Sequence, residues 1–231
     1  MKNIVIATIK EWNINNYFEL KKELENEYSL YLLTNKDELS FKNIEKINPK
    51  YIFFPHWSWI IPENIYKNYE CILFHMTDLP YGRGGSPLQN LIINKVYNTK
   101  ISALKVTKGL DEGDIYLKED FDISKGSANE IYINASKLIF KKLIPNILRQ
   151  NPTPVRQEGD VVNFKRRTPE QSNIKMLNDV SIANLYDFIR MLDAPSYPKA
   201  YLELDNLKME LFEVIIKDGK LEGRFEVSKD E

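Results

Sequence analysis

An alternation fills the first half of this chain: short β-branched runs follow one another, separated by stretches with apolar residues at helical spacing. The runs lie at 3–9, 30–33, 51–54 and 71–74, and the helical patterns at 17–27 and 41–47. A third helix is expected from Pro62, since proline suits a first helical turn. The run Cys71-Ile72-Leu73-Phe74 is apolar on both faces, as a central strand of a parallel sheet must be. This rhythm predicts an α/β fold, a mostly parallel open sheet with helices on both faces. Ligands of such sheets bind beyond the C-terminal strand ends.

Further along, the patterns predict a helix over 87–96 and strands over 101–106 and 115–121. Ser127 and Glu130 have capping-box spacing and should open a long helix to about 149, with Pro145 kinking it or ending it early. Asn151-Pro152-Thr153-Pro154 reads as a linker. One more helix is expected over 182–192, then two or three short strands between 200 and 227, with turn signals at Asp205-Asn206 and Asp218-Gly219. The expected organisation is therefore a main domain at 1–150 and a small β-rich α+β subdomain at 151–231.

Composition narrows the function classes. The 231 residues carry a net charge of -1, so no basic excess advertises a nucleic-acid partner. No apolar run approaches the roughly 20 residues needed to span a bilayer, and MKNIVIATIK is too soon broken for a signal peptide. The single cysteine, Cys71, sits in an apolar strand and reads as a buried thiol. A cytoplasmic setting with no membrane partner and no metal is expected.

The only two histidines, His56 and His75, each directly follow an apolar strand, where a side chain is aimed at the ligand edge or else is satisfied within a loop. After His75 comes Met76-Thr77-Asp78-Leu79-Pro80-Tyr81-Gly82-Arg83-Gly84-Gly85-Ser86-Pro87, whose glycines let backbone approach a ligand. The second cluster is Gly109-Leu110-Asp111-Glu112-Gly113-Asp114. It is an acidic hairpin turn, or a loop delivering a carboxylate to a histidine elsewhere, where it would fix the ring's tautomer.

Together these segments resemble the 10-formyltetrahydrofolate-dependent formyltransferases, most closely the sugar N-formyltransferases, and also the N-terminal domain of methionyl-tRNA formyltransferase. The matching segments are FFPHWSWIIP, HMTDLPYGRGGSPLQN and KGLDEGDIY, with residues 75 and 111 separated by 36 positions. The resemblance implies a Rossmann-like catalytic domain, 10-formyltetrahydrofolate as formyl donor, and His75 and Asp111 as the catalytic pair. It implies that the pterin lies against Trp57, Trp59, Ile60 and Ile61, and against Thr107 and Leu110, held largely by backbone groups. Trp57 and Trp59 equally suit a core role. In one respect the chain departs from the family. Leu73 stands where the family has an asparagine that donates to the oxyanion, and Thr77, Asn90 and His56 are the nearby candidates to replace it.

For the acceptor, the basic run Lys165-Arg166-Arg167 and RMLDAPSYPKAY are similar to segments of the sugar N-formyltransferases. The expected substrate is a nucleotide-linked amino sugar, a small molecule of glycan biosynthesis, contacted by Lys10, Trp12, Asn13, Thr77 and Arg83. The alternatives are a methionyl-tRNA formyltransferase-like activity, hydrolysis of formyltetrahydrofolate, and a non-catalytic folate or nucleotide-sugar binder. The β-rich C-terminal part could serve a homodimer.

Overall fold

A computed structural model describes residues 1–195 and 197–229. They form two compact units interleaved in sequence, whereas the sequence expectation cuts the chain once, at 150/151. The first unit comprises Met1–Arg83, Lys100–Phe121 and Ile133–Val162; the second comprises Gly84–Thr99, Asp122–Tyr132 and Asn163–Glu231.

A six-stranded mixed sheet dominates, in the order β2-β1-β3-β4-β6-β7. Its strands are β1 (Lys2–Ala7), β2 (Tyr28–Leu33), β3 (Tyr51–Phe54), β4 (Cys71–His75), β6 (Asn98–Lys105) and β7 (Ile115–Asp122). β1 pairs in parallel with β2 and β3, and β3 in parallel with β4, as the strand–helix rhythm demands. β4 then pairs antiparallel with β6, with Ile72 opposite Lys105 and His75 opposite Ser102. Both faces of the central strands are covered: Ile4, Val5, Ile6 and Ala7 of β1 and Ile52, Phe53 and Phe54 of β3 are fully buried. Because β2 and β3 flank β1 on opposite sides, the chain reverses direction across the sheet between β1 and β3. A crevice opens at such a point, beyond the carboxyl ends of the two strands.

Helix α1 (Glu11–Leu24) buries Asn13, Tyr17, Leu20 and Leu24, one stripe at helical spacing. Then come α2 (Phe41–Ile47), capped by the Ser40 side chain, and the single turn α3 (Glu63–Tyr66), for which Pro62 is the cap rather than a first-turn residue. Ser127 and Glu130 form the expected capping box ahead of α5 (Ala128–Leu138). The chain neither ends nor breaks at Pro145. A π-helical segment (Ile139–Leu143) leads into α6 (Ile144–Gln150), absorbing the backbone hydrogen bond that proline cannot donate.

In the second unit, α4 (Pro87–Ile93) and α7 (Ile182–Arg190) accompany a three-stranded antiparallel sheet. Its strands are β9 (Ala200–Leu204), β10 (Leu207–Lys217) and β11 (Lys220–Lys229). Its polar centre is Arg190, fully buried, with Nε donating to Asp187 (2.8 Å) and Nη1 to the carbonyls of Ile123 and Gly126. A further two-stranded ribbon, β5 (Tyr81–Gly84) with β8 (Val162–Phe164), has no counterpart in the sequence expectation. There Gly84 sits at φ 107°, and an added Cβ would lie 2.4 Å from the Phe164 carbonyl oxygen. No helix among the described residues is long and apolar enough to cross a membrane.

Candidate active site

β4 ends on His75, and the loop beyond it turns back onto the imidazole. The turn contains a cis Leu79-Pro80 bond and Gly82 at φ 81°. The Gly82 carbonyl meets His75 Nε2 at 2.8 Å and accepts from the Thr77 hydroxyl at 3.4 Å. Thr77 is itself fixed, since its carbonyl accepts from Ser102 Oγ at 2.7 Å. Lys118 of β7 holds the outer side of the turn, reaching Asp78 Oδ1 at 2.5 Å and donating to the Leu79 carbonyl.

A carbonyl can only accept, so Nε2 carries the proton and Nδ1 is left for proton transfer. Nδ1 faces Asp111, whose Oδ2 stands 3.6 Å away. That is too far for a hydrogen bond and close enough for an ion pair once the ring is charged. Both side chains are buried, 8% and 4% exposed, so an imidazolium here would have Asp111 as its counter-charge with little water to screen it.

Asp111 arrives from an unexpected direction. β6 runs antiparallel to β4, so the chain leaves the sheet beside the start of β4, where Val106 N donates to the Cys71 carbonyl (2.9 Å). The loop over 107–113 carries the carboxylate back to His75. It does so with Asp111 at φ 54°, in the left-handed region that costs a non-glycine residue about 1 kcal/mol. Gly113 closes the loop, and no side chain fits there: a Cβ would lie 1.7 Å from the Lys105 carbonyl oxygen.

Two features of the carboxyl ends of β1 and β3 complete the first unit's polar groups. Asn13 Nδ2 donates to Thr8 Oγ1 (2.8 Å) and to the Pro55 carbonyl (3.1 Å), tying the strand ends together. His56, at φ 57°, sits edge-on to Trp12 with ring centroids 6.1 Å apart. Burial, helped by the Lys10 charge, pushes its pKa down to about 4, so at neutral pH it is an uncharged ring. Burial pushes the Cys71 thiol up to about 12, which makes it inert.

This geometry has relatives. The chain is 49% identical to a solved structure of methionyl-tRNA formyltransferase from Clostridium thermocellum, with TM-score 0.95, covering 99% of this chain and 100% of that one. The chain belongs to the formyltransferase family. Residues 169–228 match the family model described as the C-terminal domain of methionyl-tRNA formyltransferase. Methionyl-tRNA formyltransferase of Campylobacter jejuni subsp. doylei is 26% identical over 198 residues, 84% of this chain and 64% of that protein. The chain thus spans less than two thirds of the length of the curated relatives it matches first. HypX from Aquifex aeolicus, solved in complex with tetrahydrofolic acid, shares the fold at TM-score 0.72 and 19% identity, covering 94% of this chain and 39% of that one.

The expected site residues all lie in the first unit, and they separate into groups. His75, Asp111 and Thr77 converge as described. Trp57, Trp59 and Ile60 line a cavity of about 260 Å³ together with Lys36, Asp37, Leu39, Ser40 and Pro62. Trp59 is 38% exposed and Ile60 94%, whereas Ile61 is buried in the core against which Trp57 also packs. Thr107 and Leu110 are outside that cavity lining, on the loop before Asp111, with the Leu110 side chain 70% exposed. Lys10 caps α1 and lies over the Trp12 ring at 5.7 Å. Arg83 is engaged within the protein, donating through Nε (3.1 Å) and Nη2 (2.9 Å) to Gln157 Oε1. Asn90, in the second unit, commits its amide donors to the carbonyls of Gly85, Ser86 and Lys165, which disqualifies it as the missing oxyanion donor. Within RMLDAPSYPKAY, Ser196 lies outside the described residues.

Gln157 and Lys118 escaped the sequence reading. Gln157 lies three residues beyond the Pro-rich stretch 151–154 that reads as linker, and a strand lysine such as Lys118 reads as a solvated charge. Backbone register is the signal that finds the first of them. Val155 and Ile115 exchange both backbone hydrogen bonds (2.7 and 2.9 Å), which sets Gln157 opposite Gly113.

Proposed function

We propose that this chain transfers a formyl group from 10-formyltetrahydrofolate to a primary amine, with the aminoacyl end of methionyl-tRNA as the acceptor. The buried His75–Asp111 pair carries the chemistry of this reading. The 49% identity along the whole chain to a methionyl-tRNA formyltransferase favours that acceptor over a nucleotide-linked amino sugar and supports a nucleic-acid partner against the expectation from charge.

The donor supplies an activated formyl carbon. The residues suit it: Ile60 and Leu110 expose apolar side chains on the two segments expected to hold a flat heterocycle, and the buried indole Nε1 of Trp57 has no hydrogen-bond partner. As the amine nitrogen bonds to the formyl carbon, it must lose a proton, which His75 takes on Nδ1. Asp111 stabilises the imidazolium so formed. The same proton returns to N10 as the C–N10 bond breaks, leaving tetrahydrofolate and the formamide. Gly82 keeps the ring in the one tautomer that can do this. Lys10, Trp12, Asn13, Thr77 and Arg83 remain the residues proposed around the acceptor, and the setting is cytoplasmic.

The second reading, the amino sugar, is favoured by charge. Between residues 199 and 229, which include the three-stranded sheet, six basic side chains are matched by seven acidic ones, a poor surface for a polyanion. One experiment separates the readings. The protein is incubated with 10-formyltetrahydrofolate and either methionyl-tRNA or a panel of nucleotide-linked amino sugars, and products are read by mass spectrometry. Formyl-methionyl-tRNA is expected, and its loss in His75→Ala with the fold intact. Formylated sugar in its place moves the acceptor to the second reading, and undiminished transfer by His75→Ala removes the mechanism.

A further inference from the structure

We infer that Gln157 is the positioning residue of Asp111, holding its loop in the conformation that places the carboxylate against His75; this rests on the formyl-transfer reading of that pair. The observation is a relay of hydrogen bonds. Gln157 Nε2 donates to the carbonyls of Asp111 (2.7 Å) and Gly113 (2.8 Å), and Gln157 Oε1 accepts from Arg83 Nε (3.1 Å) and Nη2 (2.9 Å). Arg83 Nη1 in turn lies 3.7 Å from Glu112 Oε1.

Only one orientation of the amide is workable. Reversed, it would set its oxygen against two carbonyls and its NH2 against a guanidinium, so the orientation is forced. The carbonyls it holds belong to the residue at φ 54° and to the glycine that closes the loop. Left-handed backbone at an aspartate persists only where its surroundings fix it, and this side chain grips it on both sides. The grip comes from outside the loop, since the Val155–Ile115 bridge aligns Gln157 with Gly113 and Val162 N donates to the Pro80 carbonyl (3.3 Å). The segment that follows the expected linker, residues 155–162, therefore runs as a strap from β7 to the turn beyond His75, and it carries Gln157.

Gln157→Glu is the discriminating variant. It retains an acceptor for Arg83 but turns a carboxylate on the two carbonyls, so it releases the Asp111 loop without emptying the site. Gln157→Ala removes both links, and Glu158→Gln, an exposed neighbour, is the control. We expect kcat for formyl transfer to fall 10- to 100-fold in both Gln157 variants, with KM for the formyl donor within threefold of wild type and the control unchanged.

The second readout does not depend on turnover. The chain has two histidines, so the imidazole 1H–15N spectrum holds two sets of signals. Those of His75 should shift in both Gln157 variants, while those of His56 stay in place. Unmoved His75 signals, or kcat within twofold of wild type, would overturn the proposal. If wild-type protein formylates no acceptor, the formyl-transfer reading fails while the spectra still decide whether Gln157 sets the His75–Asp111 geometry.

Discussion

At the scale of single residues, the two histidines divide by environment rather than by sequence context. Both follow apolar strands, yet His75 meets a carbonyl and a carboxylate, while His56 meets burial and the Lys10 charge. The surroundings of His56 register in stability. The pKa of His56 falls from 6.5 to about 4 on folding, so between those values the unfolded chain binds the extra proton. Stability is then full above pH 6.5 and is lost as pH falls toward 4, by at most about 3 kcal/mol. In His56→Asn, which tolerates the same φ, that part of the acid lability should vanish. Urea denaturation from pH 7 to 4 checks it, and parallel curves for the two proteins contradict it. Leu73 supplies a second residue-scale prediction. It lies two positions before His75 on the same face of β4, so an amide there would stand beside the imidazole. Asn90 is committed elsewhere, so Leu73→Asn should raise kcat about tenfold by adding an oxyanion donor. An unchanged or lower rate at equal stability means that the protein already has one.

At the scale of elements, periodicity carried most of the information, and register carried what periodicity could not. The strands at 51–54 and 71–74 were legible because a fully buried strand is a continuous apolar run, and the later turns of α1 because their stripe repeats every three to four residues, although the helix spans Glu11–Leu24 rather than the expected 17–27. The antiparallel entry of β6 was not legible, since a strand's residues do not state its direction, and that direction decides how the Asp111 loop must travel. The π-helical step before Pro145 was equally hidden: proline announces a lost hydrogen bond, not how neighbours accommodate it. The motif KGLDEGDIY did contain its own constraint in Gly113. Gly113→Ala must push the loop off Lys105, so activity should drop at least 100-fold with a stability loss of about 2 kcal/mol, read by turnover and thermal melting. Activity near wild type there would mean that the loop is far more yielding than its packing indicates.

At the scale of the whole molecule, a single cut after the long helix is what composition suggests, because the character of the sequence changes there. Packing instead assigns 151–162 to the first unit and 84–99 to the second, a partition that follows contacts distant in sequence. The charge of the whole chain bears on the acceptor in a way that no single residue does. Acidic and basic side chains nearly cancel, 33 against 32, so a polyanionic acceptor would be gripped through few phosphates. If methionyl-tRNA is the acceptor, it must be recognised chiefly through its aminoacyl end. Its KM should then rise only gently with salt, with a log–log slope of about 2 to 3 between 50 and 200 mM, against the steep dependence of proteins that neutralise six or more phosphates. Steady-state kinetics at graded ionic strength measure that slope directly. A value of six or above would place an extended basic surface on this chain, and with it a mode of tRNA recognition that its near-neutral composition conceals.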